Sequence, residues 1–550
     1  MKRLVAVLAA LLLATPAAPP SAAADVTYES VYFPSADGTL LHAEVFRPAG
    51  GGRAPVVLLV SPYNNGTSVT VDDRQPGNLH YAPFQTLLDQ GYAVVQASLR
   101  GYSASGGCGD WGGKGEQADA KAAVEWAASQ RWSTGRVGMY GISYDGWTQI
   151  MALATKPRGL AAVVAQAPLT DGYRAFWMNG SHYQGAWWIS ATVGYGTTDL
   201  KPPNQAQGPE GLVNATTGTA LNPHCYASNA AFTATGDKSL PYWRERDIVA
   251  RAAESRVPVL WSQGFRDIQV KPDNFAVLYP RLRGPKRTWV GQFTHRAPNH
   301  AGVEAVAARY VSEAIDWFDA YVKRDPAALA RVEAEPEAVV QEGDGRWRTD
   351  TAWPPRDARA TSLRLRSGTY FEDPRDDGKQ PTDEGDIVWS VSRPLPYAVH
   401  LAGIPRVTLT AQGIGPAQVV VKVYDVDPAG QARMVTRAVH ANVSGKVSFD
   451  LYPQDWRFEP GHRIAVGVQG SDTFWSGPRS HYPPGTDFVR VATGGNVAVS
   501  GASLTVPALR DERTTFLFPQ RIAAVAPELT LTAAQLAAYE TAFRLPARMR

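Results

Sequence analysis

Cysteine is nearly absent: the 550 residues contain only Cys108 and Cys225. That excludes a cysteine-rich scaffold and any zinc site built from a Cys cluster. An excess of charge is missing as well. Fifty-four Lys and Arg face 51 Asp and Glu, so nothing draws the chain to nucleic acid or to an anionic membrane surface. Long hydrophobic runs are lacking too. The apolar run Leu4–Ala14 is shorter than the roughly 20 residues a membrane-spanning helix needs, and no other stretch approaches that length. There is no internal repeat, and no Gly-rich nucleotide signature stands in a strand-to-helix context. What is present is the composition of a globular protein, 44% hydrophobic and 19% charged. The length calls for two or three domains. Fifty Gly and 41 Pro imply many turns, and 16 Trp with 22 Tyr are unusually many aromatics.

The N-terminus reads as a signal peptide over residues 1–24. Lys2 and Arg3 precede the apolar run, and Ala22-Ala23-Ala24 before Asp25 fits cleavage after Ala24. The mature protein is expected to be secreted and soluble. In that compartment Cys108 and Cys225 are a candidate disulfide, with two separately buried thiols as the alternative.

Strand and helix patterns alternate from residue 25 to 168: strands at Pro55–Val60, Tyr92–Ala97 and Arg136–Tyr140, helical composition at Phe84–Gln90 and Glu116–Gln130. This rhythm argues for a mostly parallel sheet. It pauses over 169–248, an aromatic-rich insertion expected to form a cap. It resumes over 249–324 with strands at Val257–Gln263 and Arg287–Val290 and an amphipathic helix at Val303–Val322. The Pro-rich and acidic stretch 325–358 reads as a connector. Short alternating segments over 359–527 read as a jelly roll, and 528–550 as a tail ending in a helix.

Gly141-Ile142-Ser143-Tyr144-Asp145-Gly146 falls between a strand and a helix. A Ser on such a turn exposes its hydroxyl, and the next backbone N–H, that of Tyr144, points at a developing oxyanion. The second Gly comes one residue later than in G-x-S-x-G. A Ser nucleophile needs a His base, and the His needs a carboxylate. Asp267, in Gly264-Phe265-Arg266-Asp267, and His295, in Gly291-Gln292-Phe293-Thr294-His295, each follow a strand pattern in the order Ser, acid, His. Asp273 and His300 are rivals lying farther from their strand ends. His295 and His300, five apart, make a weak metal pattern, and no metal or cofactor is expected.

These motifs resemble the serine hydrolases that include cocaine esterase and the X-prolyl dipeptidyl-peptidases. The resemblance covers essentially the whole mature chain. It implies an α/β fold: an α/β-hydrolase domain with an inserted, mainly helical cap and a C-terminal β jelly-roll domain. It also implies that Tyr63, in Ser61-Pro62-Tyr63, adds its hydroxyl to the oxyanion hole. Three departures stand out. Gln292 and Phe293 replace the commoner Pro and Trp, and Ser98-Leu99-Arg100-Gly101 stands where Asp-x-Arg-Gly is frequent. Relatives acting on α-amino esters carry paired carboxylates after the catalytic acid, where this chain has Gln269 and Val270. Asp171 in the cap is another acid able to meet a substrate ammonium. Phe176, Trp177, Trp187 and Trp188 are candidates for an apolar substrate pocket, or for the cap's own core.

The expected activity is acyl transfer through Ser143 on a small ester or a short peptide, with an esterase ahead of an X-prolyl dipeptidyl-peptidase. The alternative of another class is a wall- or carbohydrate-binding protein using the jelly roll.

Overall fold

β1 (Val26–Pro34) turns through Ala36-Asp37-Gly38 into antiparallel β2 (Leu40–Pro48), with Pro34 opposite Leu40. β3 (Ala54–Ser61) follows, buried on both faces as a central parallel strand must be. The computed structural model describes residues 26–63, 83–182, 223–300, 303–372, 386–470, 473–474, 485–486, 494–518 and 525–550. The segment 1–24 that reads as a signal peptide, Trp187 and Trp188 lie outside the described residues.

After α1 (Phe84–Asp89) come β4 (Ala93–Ser98), α2 (Lys114–Ser129), β5 (Ser133–Ile142), α3 (Tyr144–Thr155) and β6 (Leu160–Gln166). The cap begins with α4 (Gly172–Phe176) and the small hairpin β7 (Trp177–Met178) and β8 (Ser181–His182), and ends with the helices Pro223–Thr233 and Pro241–Arg246. The sheet then continues through β9 (Val259–Gly264) and β10 (Lys286–Gly291). Strand order across it is β1-β2-β4-β3-β5-β6-β9-β10, and every pair from β4 onward is parallel. Register therefore aligns the C-terminal ends of β5, β6, β9 and β10 along one edge. In open parallel sheets the loops at that edge hold the ligand. Among the described residues, no helix is long and apolar enough to cross a membrane.

The stretch expected to be a connector does more than connect. It contains the helix Pro326–Ala334 and two further strands of the same sheet, β11 (Ala338–Gln341) and β12 (Trp347–Asp350). Their acidic and Pro-rich flanks hid two four-residue strands. The segment Phe516–Phe518, expected inside the jelly roll, also returns to pair with β12. Up to the tail, the rest of the C-terminal half is all-β among the described residues. One antiparallel sheet is built on Asn496–Ala508, and another on Ala417–Val426 and Gln431–Val443. Their facing sides enclose Leu401, Val407, Leu409, Val421, Val423, Val466, Leu504 and Val506, all at most 4% exposed. In the tail the helix is short, Ala533–Ala538, started by a Thr532–Gln535 capping box.

Candidate active site

Ser143 is the single residue between β5 and α3, and the chain passes from strand to helix at it. It does so at φ +64° and ψ −121°, a conformation that costs a side-chain-bearing residue roughly 1–3 kcal/mol. Neighbours hold it there. The Ser143 N–H donates to Gln166 O at 2.9 Å, and Trp147 N–H donates to Ser143 O at 2.9 Å. The late glycine has a local reason. A Cβ on Gly146 would lie 2.9 Å from Gln166 O and from Pro168 Cα, so glycine is needed where α3 crosses the end of β6. Asp145 takes the place of the earlier glycine. Burial drives its carboxyl well above the ordinary range.

Tyr63 stands two residues beyond β3, and its hydroxyl accepts the Tyr144 N–H at 3.3 Å. The two expected oxyanion donors are thus in contact beside Ser143. The Tyr144 ring is tied down from the other end, its hydroxyl 2.5 Å from Glu116 Oε2. Glu116 also receives the N–H groups of Asp110, Trp111 and Gly112 at 3.2, 3.1 and 2.7 Å. Burial, then the charge of Asp110, pushes the Glu116 carboxyl up to about 8. Nothing in the sequence marks Glu116 except its place just after the Gly-rich loop Gly101–Gly115. That loop is also bound to the cap. Cys108 and Cys225 form a disulfide, and Asn229 Nδ2 donates to Gly109 O at 2.8 Å. The acid missing at Ser98 has a substitute: Arg100 pairs through Nε and Nη2 with Asp119 of α2 at 2.9 and 2.7 Å, and through Nη1 with Asp37 at 2.8 Å.

Asp267 and His295 follow β9 and β10, and the two loops are bonded to each other. Phe265 N–H donates to Gly291 O at 2.7 Å, and Arg266 N–H to Phe293 O at 3.2 Å. The contact is so close that a Cβ on Gly264 would overlap Phe293 O and lie 2.6 Å from Thr294 O. His295 Nδ1 stands 2.7 Å from Asp267 Oδ2. Asp267 Oδ1 accepts the N–H groups of Gln269 and Val270 at 2.8 and 2.9 Å, and its carboxylate is fully buried. With Oδ1 taken by two backbone N–H groups, Oδ2 is placed to accept from His295 Nδ1, an arrangement that leaves Nε2 as the basic nitrogen. The rivals are placed otherwise. Asp273 pairs with Arg174 at 3.0 Å, and His300 belongs to the later 3₁₀ turn Pro298–His300.

The described cap aromatics contact one another. Phe176 stacks on Trp111 and meets Trp243, each at 6.1 Å. Trp177 stacks on Tyr173 and donates its indole N–H to Thr233 O at 3.0 Å. Asp171 caps α4, accepting Tyr173 N–H at 2.9 Å, and its other oxygen faces Arg174 and Lys238 at 3.7 and 3.6 Å. Glu342, His400 and Asp455 are close enough together to hold a metal ion. Arg348 already occupies that charge, donating to Glu342 at 2.9 Å and to Asp455 at 2.6 Å, while His400 bonds Asp455 at 2.7 Å. It is an ion-pair network joining the hydrolase sheet to the β-sandwich.

The model of the X-Pro dipeptidyl-peptidase (S15 family) matches residues 37–297, and that of the X-Pro dipeptidyl-peptidase C-terminal non-catalytic domain matches 330–488. Together they take in about three quarters of the chain. This protein is a serine hydrolase of the S15 and cocaine esterase-like family. Within the family, a putative Xaa-Pro dipeptidyl-peptidase from Streptomyces avermitilis is 27% identical over 66% of this chain, and the match spans 57% of that protein's length. Cocaine esterase from Rhodococcus sp. is 24% identical over 80% of this chain and 90% of its own. Among solved structures, a CocE/NonD family hydrolase from Staphylococcus aureus superposes with a TM-score of 0.69 at 17% identity, covering 88% of this chain and 97% of its own. An α-amino acid ester hydrolase gives 0.67 at 20%, covering 90% and 98%. These likenesses show the fold: an α/β-hydrolase domain followed by an all-β domain.

Proposed function

We propose that this family member is an exported carboxylesterase working through an acyl-enzyme on Ser143. The observation that carries the reading is the Asp267–His295 contact at 2.7 Å, on the sheet edge that also carries Ser143 at its strand-to-helix turn. In this mechanism His295 Nε2 takes the Ser143 hydroxyl proton as Oγ attacks the ester carbonyl. The Tyr63 hydroxyl and Tyr144 N–H receive the oxyanion, and His295 returns the proton to the departing alcohol. Water, deprotonated by the same nitrogen, then releases the acid and restores Ser143.

Ester rather than X-prolyl peptide is favoured by the state of the nearby acids. An X-prolyl dipeptidyl-peptidase must hold its substrate's ammonium against an anion. Asp171 is committed to its helix cap and to Arg174 and Lys238, and Asp273 is committed to Arg174. The X-prolyl reading keeps its own support in the family description and in the relatives' names.

Paired steady-state rates on a short-chain nitrophenyl ester and a Gly-Pro anilide, with Ser143→Ala as control, test this. Ester turnover that vanishes in the variant, with the anilide untouched, is the expected outcome. Efficient anilide cleavage would reverse the ranking. An unchanged ester rate in Ser143→Ala would remove Ser143 from the mechanism.

A further inference from the structure

We infer that Gln292 is a positioning residue for His295, through which the β-sandwich holds the histidine loop, and that Arg266 does the same for the acid loop. The inference rests on Ser143, Asp267 and His295 being the catalytic set.

Gln292 lies three residues before His295. Its backbone N–H donates to Gln341 Oε1 at 2.9 Å. Its side-chain amide donates to Gln454 Oε1 at 2.7 Å and to Asp455 O at 3.0 Å, both on the sandwich strand Gln454–Phe458. The receiving end is firm. Gln454 Nε2 donates to Val435 O at 2.6 Å, and the fully buried Asp455 is bonded by Arg348 and His400.

The acid loop has a matching anchor. Arg266, next to Asp267, donates through Nη1 to Met434 O at 3.1 Å and faces Glu528 at 3.7 Å. Met434 and Val435 belong to one sandwich strand, Gln431–Val443. Both loops are therefore fastened to the sandwich as well as to each other. Ser143 is held within the hydrolase domain, through Gln166 of β6 and Trp147 of α3. Loosening the sandwich contact would move Asp267 and His295 as a pair. Their mutual bond would survive while their distance to Ser143 changed. Such a displacement impairs the chemical step and leaves ester binding largely unaffected, because misplacement by about 1 Å can cost on the order of 100-fold in rate.

The test uses the full chain and a short-chain nitrophenyl ester. Gln292→Met keeps length and volume but removes the donor. We expect kcat to fall about tenfold with KM within about twofold and an unchanged circular-dichroism spectrum. Gln454→Met, made from the sandwich side, gives the same split, and the double variant loses no more than either single one. Should Gln292→Met fail to fold, Arg266→Met carries the same expectation. A wild-type kcat in the folded variants, or losses that multiply in the double variant, would overturn the inference. So would a loss confined to KM. A Ser143→Ala protein that still turned over ester would bring down the catalytic reading and this inference with it. An inactive Ser143→Ala beside a fully active Gln292→Met would remove the inference alone.

Discussion

The nucleophile corner and the acid–histidine corner sit on the same sheet edge but are built by different means. Around Ser143 nearly every constraint comes from within the hydrolase domain: the strand–helix junction, Gly146 against β6, and Tyr144 bonded to Tyr63 and Glu116. Around Asp267 and His295 the constraints are long-range. Two loops pack on each other across Gly264, and both reach into a β-sandwich more than 130 residues further along the chain. A local turn can be specified by a hexapeptide. A pair of loops from different strands needs the rest of the fold to bring them into register.

Four substitutions bear on this contrast. The largest effect belongs to Asp267→Asn, which keeps the shape of the acid but disturbs the His295 tautomer. Its kcat on a nitrophenyl ester should fall about 10⁴-fold with the fold intact; a small loss would mean that the two corners do not act together. Next is Tyr63→Phe, which removes from the Ser143 corner the hydroxyl that the proposed mechanism gives to the oxyanion. The expected cost is about 3 kcal/mol, near 100-fold in kcat, with little change in thermal stability. Gly264→Ala attacks the other corner through backbone alone. Its methyl must push the histidine loop off Phe293 O, so we expect about a tenfold drop in kcat together with a lower melting temperature. If only stability fell, the loop contact would be a packing feature.

The smallest effect at neutral pH concerns His42, on the β2 strand that braces the Gly-rich loop through Ser105. Burial pulls its pKa down from 6.5 to about 4. The unfolded chain therefore binds the extra proton first as pH falls. Its contribution is fully present above pH 6.5 and is lost between 6.5 and 4, to a total of about 3 kcal/mol. Melting temperatures measured across that window should drop more steeply for the native chain than for His42→Gln. Parallel curves would mean that His42 does not titrate there.

How much of this was legible in the sequence differs by element. β3, β4, β5, β9 and β10 follow directly from apolar runs broken by Gly, Pro and Asn. β11, β12 and Phe516–Phe518 were hidden. Strands of three or four residues carry too little periodicity to stand out beside acidic and Pro-rich flanks. The same limit applied to the site. Ser143, Asp267 and His295 could be proposed from the sequence because each follows a strand at the end where ligands bind. Glu116 and Asp119 were not, because a buried carboxylate on a helix looks in sequence like any solvated one. Asp171 read as an acid open to a substrate, and only its contacts with Tyr173, Arg174 and Lys238 show it already used.

The sequence by itself determined the alternation of strands and helices, the strand-to-helix turn at Ser143 and the order of serine, acid and histidine, because each is written in neighbouring residues. Tertiary structure alone decided which side chains meet: Cys108 with Cys225, Arg100 with Asp119, Glu116 with Tyr144, and Gln292 with Gln454. Those pairings depend on where parallel strands and a distant sandwich place groups remote in the chain, and short-range pattern carries no information about that distance.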